Sequence, residues 1–263
     1  MLNKPYEEYE KWFDSFSLNY YDHEDGVSKD YMHLKMVHTK KVVEAIEQIA
    51  KSINLSSEDI ILAKLIGLLH DVGRFPQIHK YKIDNDNLTE NHALLGIKVI
   101  KELDLLKDED EVNRNIILKS IEYHNILSIP NEEKDDRVIL FSKLIRDADK
   151  VDIYRVMLTD IYSYPIDKLK ELYSNLSFES KLSDEIYYPL KDRKNVSRKD
   201  IVTFLDHIMM QMSWVTSDIN YNESKKMIRD NHYIEKLYEL ADPDDRGTEI
   251  YNMIMSDLGG IDD

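Results

Sequence analysis

Six residues of this chain carry side chains of metal-ligand type on otherwise apolar helical faces: His38, the adjacent pair His70-Asp71, His92, His124 and Asp149. The pair is the most informative. It ends a run from Ile60 to Leu69 that is apolar on almost every side of a helix, and such a helix is buried. An imidazole and a carboxylate carried inward with it are costly unless they are paired or coordinate a cation. The other four follow suit. His38 aligns with Val42, Ala45 and Ile49, His92 with Leu95, Gly96 and Val99, His124 with Ile117 and Ile121, and Asp149 with Phe141, Ile145 and Val156, at the steps of three and four that share a helix face. Each alone reads as a satisfied core residue, but one such residue on each of five helices reads as a metal centre. Neutral imidazoles with carboxylates suit Fe, Mn, Co, Ni or Zn, and the carboxylates also admit Mg. Six ligands exceed what one ion with open positions needs. The expectation is therefore one or two divalent ions, with Asp71 able to bridge His38, His70 and Asp149 on one side and His92 and His124 on the other.

The elements that must position these residues are helices. With 7 Gly and 6 Pro in 263 residues, there is little material for hairpins and tight turns. Aromatic spacing predicts a helix over 7–18, and apolar stripes predict others over 28–53, 108–124 and 136–160. Leu55-Ser56-Ser57-Glu58-Asp59 opens the helix that ends in His70-Asp71, and Gly73 stands where a terminating glycine would. Residues 74–87 read as a polar loop beside the site, with His79 a candidate to touch substrate. Thr89 reads as the cap of the next helix, where Gly96 implies close approach of a neighbour. On the helix over 136–160, Asp147 faces away from Asp149, and Asp152, one turn on from Asp149, reads as a second inward acid or an orienter. Beyond Tyr162 the pattern weakens, with an irregular excursion over 174–194. A Met-rich helix opened by Ser197 follows, its methionines read as core filler, then a last helix over 227–240 and a frayed tail over 259–263. His207 and His232 read as structural or surface residues. The fold class expected is all-α, a single helical bundle. An N-terminal helix and loop (1–30) pack on a metal-binding core (31–160), and a C-terminal helical extension (161–263) packs on the same domain.

Composition narrows the function. A formal charge of −16 repels polyanions, so neither nucleic acid nor an anionic membrane is an expected partner. A small phosphorylated substrate remains compatible, because bound cations invert the local field. With no cysteine, disulfides and thiolate zinc sites are excluded. No leader-like start and no apolar run of membrane-spanning length is present, so the expected location is the cytoplasm.

The order His38, then His70-Asp71, then Asp149 resembles the HD superfamily of metal-dependent phosphohydrolases. The surrounding words resemble it too: Leu68-Leu69-His70-Asp71-Val72-Gly73-Arg74, Asn91-His92-Ala93-Leu94-Leu95-Gly96, Glu122-Tyr123-His124-Asn125 and Arg146-Asp147-Ala148-Asp149-Lys150-Val151-Asp152. The resemblance covers about residues 31–156. It implies a bundle of the HD type with the metal in its middle, His92 and His124 as the extra histidines of two-metal members, and Asp149 rather than Asp147 as the last ligand. The implied reaction is hydrolysis of a phosphoester or phosphoanhydride, possible for a nucleotide, by water activated at the metals. Asp71 and Arg74 are its expected catalytic residues. Arg74 and Lys150 are its expected substrate contacts, with Arg146, Lys80 and Lys82 weaker candidates and Glu122 a conceivable proton shuttle. Two alternatives share the fold: a two-iron oxygenase and a non-catalytic nucleotide-binding sensor.

Overall fold

The architecture follows from one greasy helix. In the computed structural model, which describes residues 2–83, 85–86 and 88–259, α3 (Ser57–Leu69) buries Leu62, Leu65, Ile66, Leu68 and Leu69. At ~1.5–3 kcal/mol per buried aliphatic side chain, these contribute on the order of 10 kcal/mol, an upper figure because unfolded chains already hide some apolar surface. That gain offsets the cost of taking His70 and Asp71 into the interior. Ser56 caps the helix, its hydroxyl accepting from the Asp59 N–H. Helix α3 packs on α2 (Gly26–Ser52), whose buried stripe of Met32, Val42, Ile46 and Ile49 includes His38. α1 (Tyr6–Asp22) lays Tyr9 and Phe13 over both. Buried Glu109 ties the N-terminal segment down, accepting from the Tyr9 hydroxyl at 2.8 Å and from the Asn3 N–H at 2.9 Å.

The segment after the His-Asp pair departs from expectation. Most of the expected loop is a helix, α4 (Arg74–Tyr81), which buries Phe75, Gln77 and Ile78. Pro76 sits in its first turn, where a missing N–H costs nothing. The repeat is only two turns long and polar on its outer side, too short for periodicity to reveal. Helix α5 (His92–Glu102) is capped by Asn91, not Thr89; the Asn91 side chain accepts from the Leu94 N–H. The Thr89 hydroxyl instead donates to the Asn85 carbonyl and accepts from the Gln77 amide. α6 (Glu111–Tyr123) starts at an Asp110 cap, and α7 (Asp136–Val156) runs on into a π-helical turn at Met157–Ile161.

Gly73 is not a left-handed helix terminator, since its φ is −69°. Its reason is proximity. A Cβ there would lie 2.1 Å from the His92 carbonyl oxygen and 2.5 Å from the Gly96 nitrogen, while one on Gly96 would meet the Gly73 nitrogen at 3.2 Å. The two glycines let α5 pack backbone to backbone on the turn after Asp71, as Gly96 suggested, and that contact brings His92 to the pair.

One compact unit ends at Asp152 and a second begins at Ile153. The second contains α8 (Ile166–Leu172), α9 (Asp184–Lys191), α10 (Phe204–Met212), the short α11 (Trp214–Ser217), α12 (Asn222–Asp230), α13 (Tyr233–Ala241) and α14 (Asp245–Gly259). Its centre is α10, where Thr203 and Asp206 form a capping box and Ile208, Met209 and Met212 are fully buried. The methionines are core residues, as expected. The helix expected over 227–240 is two helices broken at left-handed His232, the 174–194 excursion contains α9, and α14 was not anticipated. Residues 260–263 of the tail lie outside the described residues. Among the described residues there is no sheet, only one isolated parallel bridge between Ser177 and Thr203. The chain is all-α, and no helix among the described residues is long and apolar enough to cross a membrane.

Candidate metal centre

All four expected histidines are buried, and each gives its Nδ1 to an oxygen. His70 and His124 end α3 and α6 and reach back three residues, to the carbonyls of Gly67 at 2.8 Å and Ile121 at 2.6 Å. His38, in the middle of α2, meets Asp152 Oδ2 at 2.7 Å. His92, the first residue of α5, meets Asp86 Oδ2 at 2.6 Å. Oxygen acceptors at Nδ1 place a proton on that nitrogen and turn Nε2 inward, the arrangement of metal-ligating histidines.

The Nε2 atoms converge on two carboxylates. Asp149 Oδ1 lies 3.1 Å from His38 Nε2 and 3.7 Å from His70 Nε2. Asp71 divides its oxygens: Oδ2 is 3.7 Å from both His38 and His70, while Oδ1 is 3.1 Å from His92 and 3.9 Å from His124. Two observations show that a cation fits. The Nε2 atoms of His38 and His70 are buried without a hydrogen-bond partner of good geometry, and both lie within 3.7 Å of Asp149 Oδ1. Those of His92 and His124 face each other at 3.0 Å, a contact that needs either a shared proton or a shared metal cation. His38, His70 and Asp149 form one potential ligand group, and His70, Asp71 and His124 another, with ligand atoms within 4.8 Å of one another. Opposite ligands of one ion lie ~4.2 Å apart at bonds of ~2.1 Å, so small side-chain shifts close either group. His70 belongs to both and stands at their junction.

The charges agree with this reading. Burial alone would favour protonated acids, yet Lys35, His70 and His92 hold the Asp71 carboxyl well below the usual range. His38 and His70 do the same for Asp149 against its own burial. Burial pushes the His38 imidazole down, but Asp149 and Asp152 beside its two nitrogens outweigh that and raise its pKa to about 9. His124 moves the other way, lowered to about 3 by burial and by its neighbours His92 and His70. Without metal, therefore, His38 holds a proton between two carboxylates and His124 is neutral.

The structure thus brings together all six residues singled out from the sequence, with Asp149, not Asp147, among the imidazoles. Asp152 acts as an orienter of His38. Arg74 is no surface residue: its Nη1 donates to Asp86 Oδ1 and to Gln77 Oε1, each at 2.8 Å, and its Nε lies 3.8 Å from Asp71 Oδ1. Lys150, which follows Asp149 in α7, is buried. Arg146 is corrected from phosphate contact to support, because its guanidinium is buried and donates to the carbonyls of Tyr123 at 3.0 Å and Leu127 at 3.1 Å, pinning the segment around His124. Lys80 pairs with Glu90, and His79 and Lys82 pair with Glu24. Two residues were missed. Lys35 donates to Asp71 Oδ2 at 3.0 Å, and its place three residues before His38 was a usable signal. Asp86 lies in a stretch without periodicity, and nothing in the sequence marks it.

Residues 36–154 match the family model described as HD domain, a span that holds all six residues. No curated protein and no solved structure matches the chain. HD domains form a superfamily of metal-dependent phosphohydrolases with an all-α fold, and both the helices and the buried cluster of His and Asp agree with it. Residues 36–154 of this chain thus form an HD domain.

Proposed function

We propose that the chain is a hydrolase dependent on one or two divalent transition-metal ions, cleaving a phosphoester or phosphoanhydride bond of a small phosphorylated substrate such as a nucleotide. One observation carries the reading: four imidazoles spend Nδ1 on oxygen acceptors and turn Nε2 toward two ionised carboxylates. When bound, such ions lower the pKa of a water and polarise a phosphoryl oxygen. The residues that would hold them are His38, His70 and Asp149 on one side and His92 and His124 on the other, with Asp71 presenting one oxygen to each.

The chain's own contribution is orientation and charge. Asp152 and the Gly67 and Ile121 carbonyls fix the rings. Arg74, held beside Asp71 by Asp86 and Gln77, and Lys150 supply positive charge for the substrate's phosphate oxygens. The centre is buried among the apolar residues of α3, and the low local polarity strengthens each of these interactions. The acidic surface, at a net charge of −16, favours a small substrate over a polynucleotide. The test is phosphate release from a panel of phosphoesters and phosphoanhydrides by protein loaded in turn with Mn, Fe, Co, Ni, Zn and Mg. Release that needs the metal and is lost in His70→Ala is expected. Oxygen consumption without phosphate release would establish the two-iron oxygenase instead, and nucleotide binding without turnover the sensor.

A further inference from the structure

Four side chains meet on Asp86. Its Oδ2 accepts from His92 Nδ1 at 2.6 Å and from Asn125 Nδ2 at 3.1 Å; its Oδ1 accepts from Arg74 Nη1 at 2.8 Å and from Gln77 Nε2 at 3.0 Å. The reason for this convergence lies in where His92 sits. His70 and His124 end their helices, so the carbonyl three residues back belongs to their own helix and orients the ring. His92 begins its helix, and no helical turn precedes it. Its backbone is placed by the Asn91 cap and by the contact between Gly73 and Gly96, but its ring must be oriented by a side chain from elsewhere. Asp86 takes that role, and Arg74, Gln77 and Asn125 in turn hold the carboxylate.

We infer that Asp86 is the positioning residue of the His92/His124 half of the centre, so that occupancy of this half depends on Asp86 while occupancy of the His38/His70/Asp149 half does not. The inference rests on the metal reading above. The first half has its own orienters, Asp152 on His38 and the Gly67 carbonyl on His70, and neither touches Asp86. Removing the acceptor frees the His92 ring to turn its Nε2 away from Asp71 and His124. Loss of such an outer partner weakens metal binding by about 10–100-fold.

The test is equilibrium dialysis of the 263-residue chain against Mn(II), with electron paramagnetic resonance of the bound ions. Wild type is expected to hold two ions, spin-coupled. Asp86→Ala is expected to bind the second ion about 10–100-fold more weakly and to show the six-line spectrum of an isolated ion, with the first ion's affinity unchanged. Asp86→Asn, which keeps an acceptor for His92, carries the test if the alanine variant does not fold, with about a tenfold loss expected. Thr89→Val separates orientation from tethering, because the Thr89 hydroxyl ties the Asn85 carbonyl to Gln77 without touching Asp86 or His92; it is expected to keep both ions. Asp152→Ala should weaken the first ion instead. The positioning role is overturned if wild type holds two ions and Asp86→Ala holds both as tightly, if it weakens both equally, or if Thr89→Val matches it. A wild-type chain that takes up a single ion also overturns it. Wild type that takes up none overturns the metal reading itself, and this inference with it.

Discussion

The proton on His38 makes metal uptake steeply dependent on pH. An ion in the first half of the centre needs the Nε2 lone pair that this proton occupies, so binding must expel it. With the His38 pKa raised to about 9 by Asp149 and Asp152, the apparent affinity rises about tenfold per pH unit below that value. Between pH 7.0 and 8.5 the gain is about 25-fold, and at pH 8 close to one proton leaves His38 per ion bound. An ordinary imidazole, titrating near 6.5, would already be neutral at pH 8 and would release almost none. Calorimetric titration with Mn(II) in buffers of unlike ionisation enthalpy counts the protons, and His38→Gln corrects for any released by bound water. The expected difference between wild type and variant is about one proton. A flat affinity over this interval, or equal proton release from both, would refute the reasoning.

Other consequences follow from the same contacts. In the metal-free chain a raised His38 pKa stabilises the fold fully below pH 6.5, and that stability is lost as pH rises through about 9; chemical denaturation should show a fall of up to roughly 3 kcal/mol, absent with metal bound. Gly73→Ala forces a Cβ against the His92 carbonyl and the Gly96 backbone, and should destabilise by ~1–3 kcal/mol or more while loosening the ion held by His92. Gly96→Ala, with its nearest contact at 3.2 Å, should cost less on the same thermal melts. Arg146→Ala leaves the carbonyls after α6 without their buried donor, and a loss of ~2 kcal/mol or more in urea unfolding is expected.

The legible part of this molecule is the part that periodicity governs. His38, His92 and Asp149 showed themselves as polar residues on apolar helical stripes, and His70-Asp71 as the end of an all-apolar helix, because burial and helix period leave a direct trace in the sequence. Orientation within the site leaves none. Asp86 lies outside any helix, and its link to His92 depends on the path of the chain between α4 and α5. α4 itself was hidden by its brevity, and Asn91 displaced Thr89 as cap because Gln77 engages the Thr89 hydroxyl. Gly73 stood in a position that suited a helix terminator, and only the fold shows that backbone proximity to α5 is its purpose. In the second unit, α14 repeats its buried residues Ile250, Ile254 and Leu258 at intervals of four, a pattern diluted by polar neighbours.

The most direct test of the central claim is anomalous diffraction from crystals of the Mn(II)-loaded chain. The account predicts density beside Asp71 for an ion against the Nε2 atoms of His38 and His70 with Asp149 and, where the centre holds two, for the second against those of His92 and His124. Anomalous density elsewhere, with none among these six residues, would contradict it.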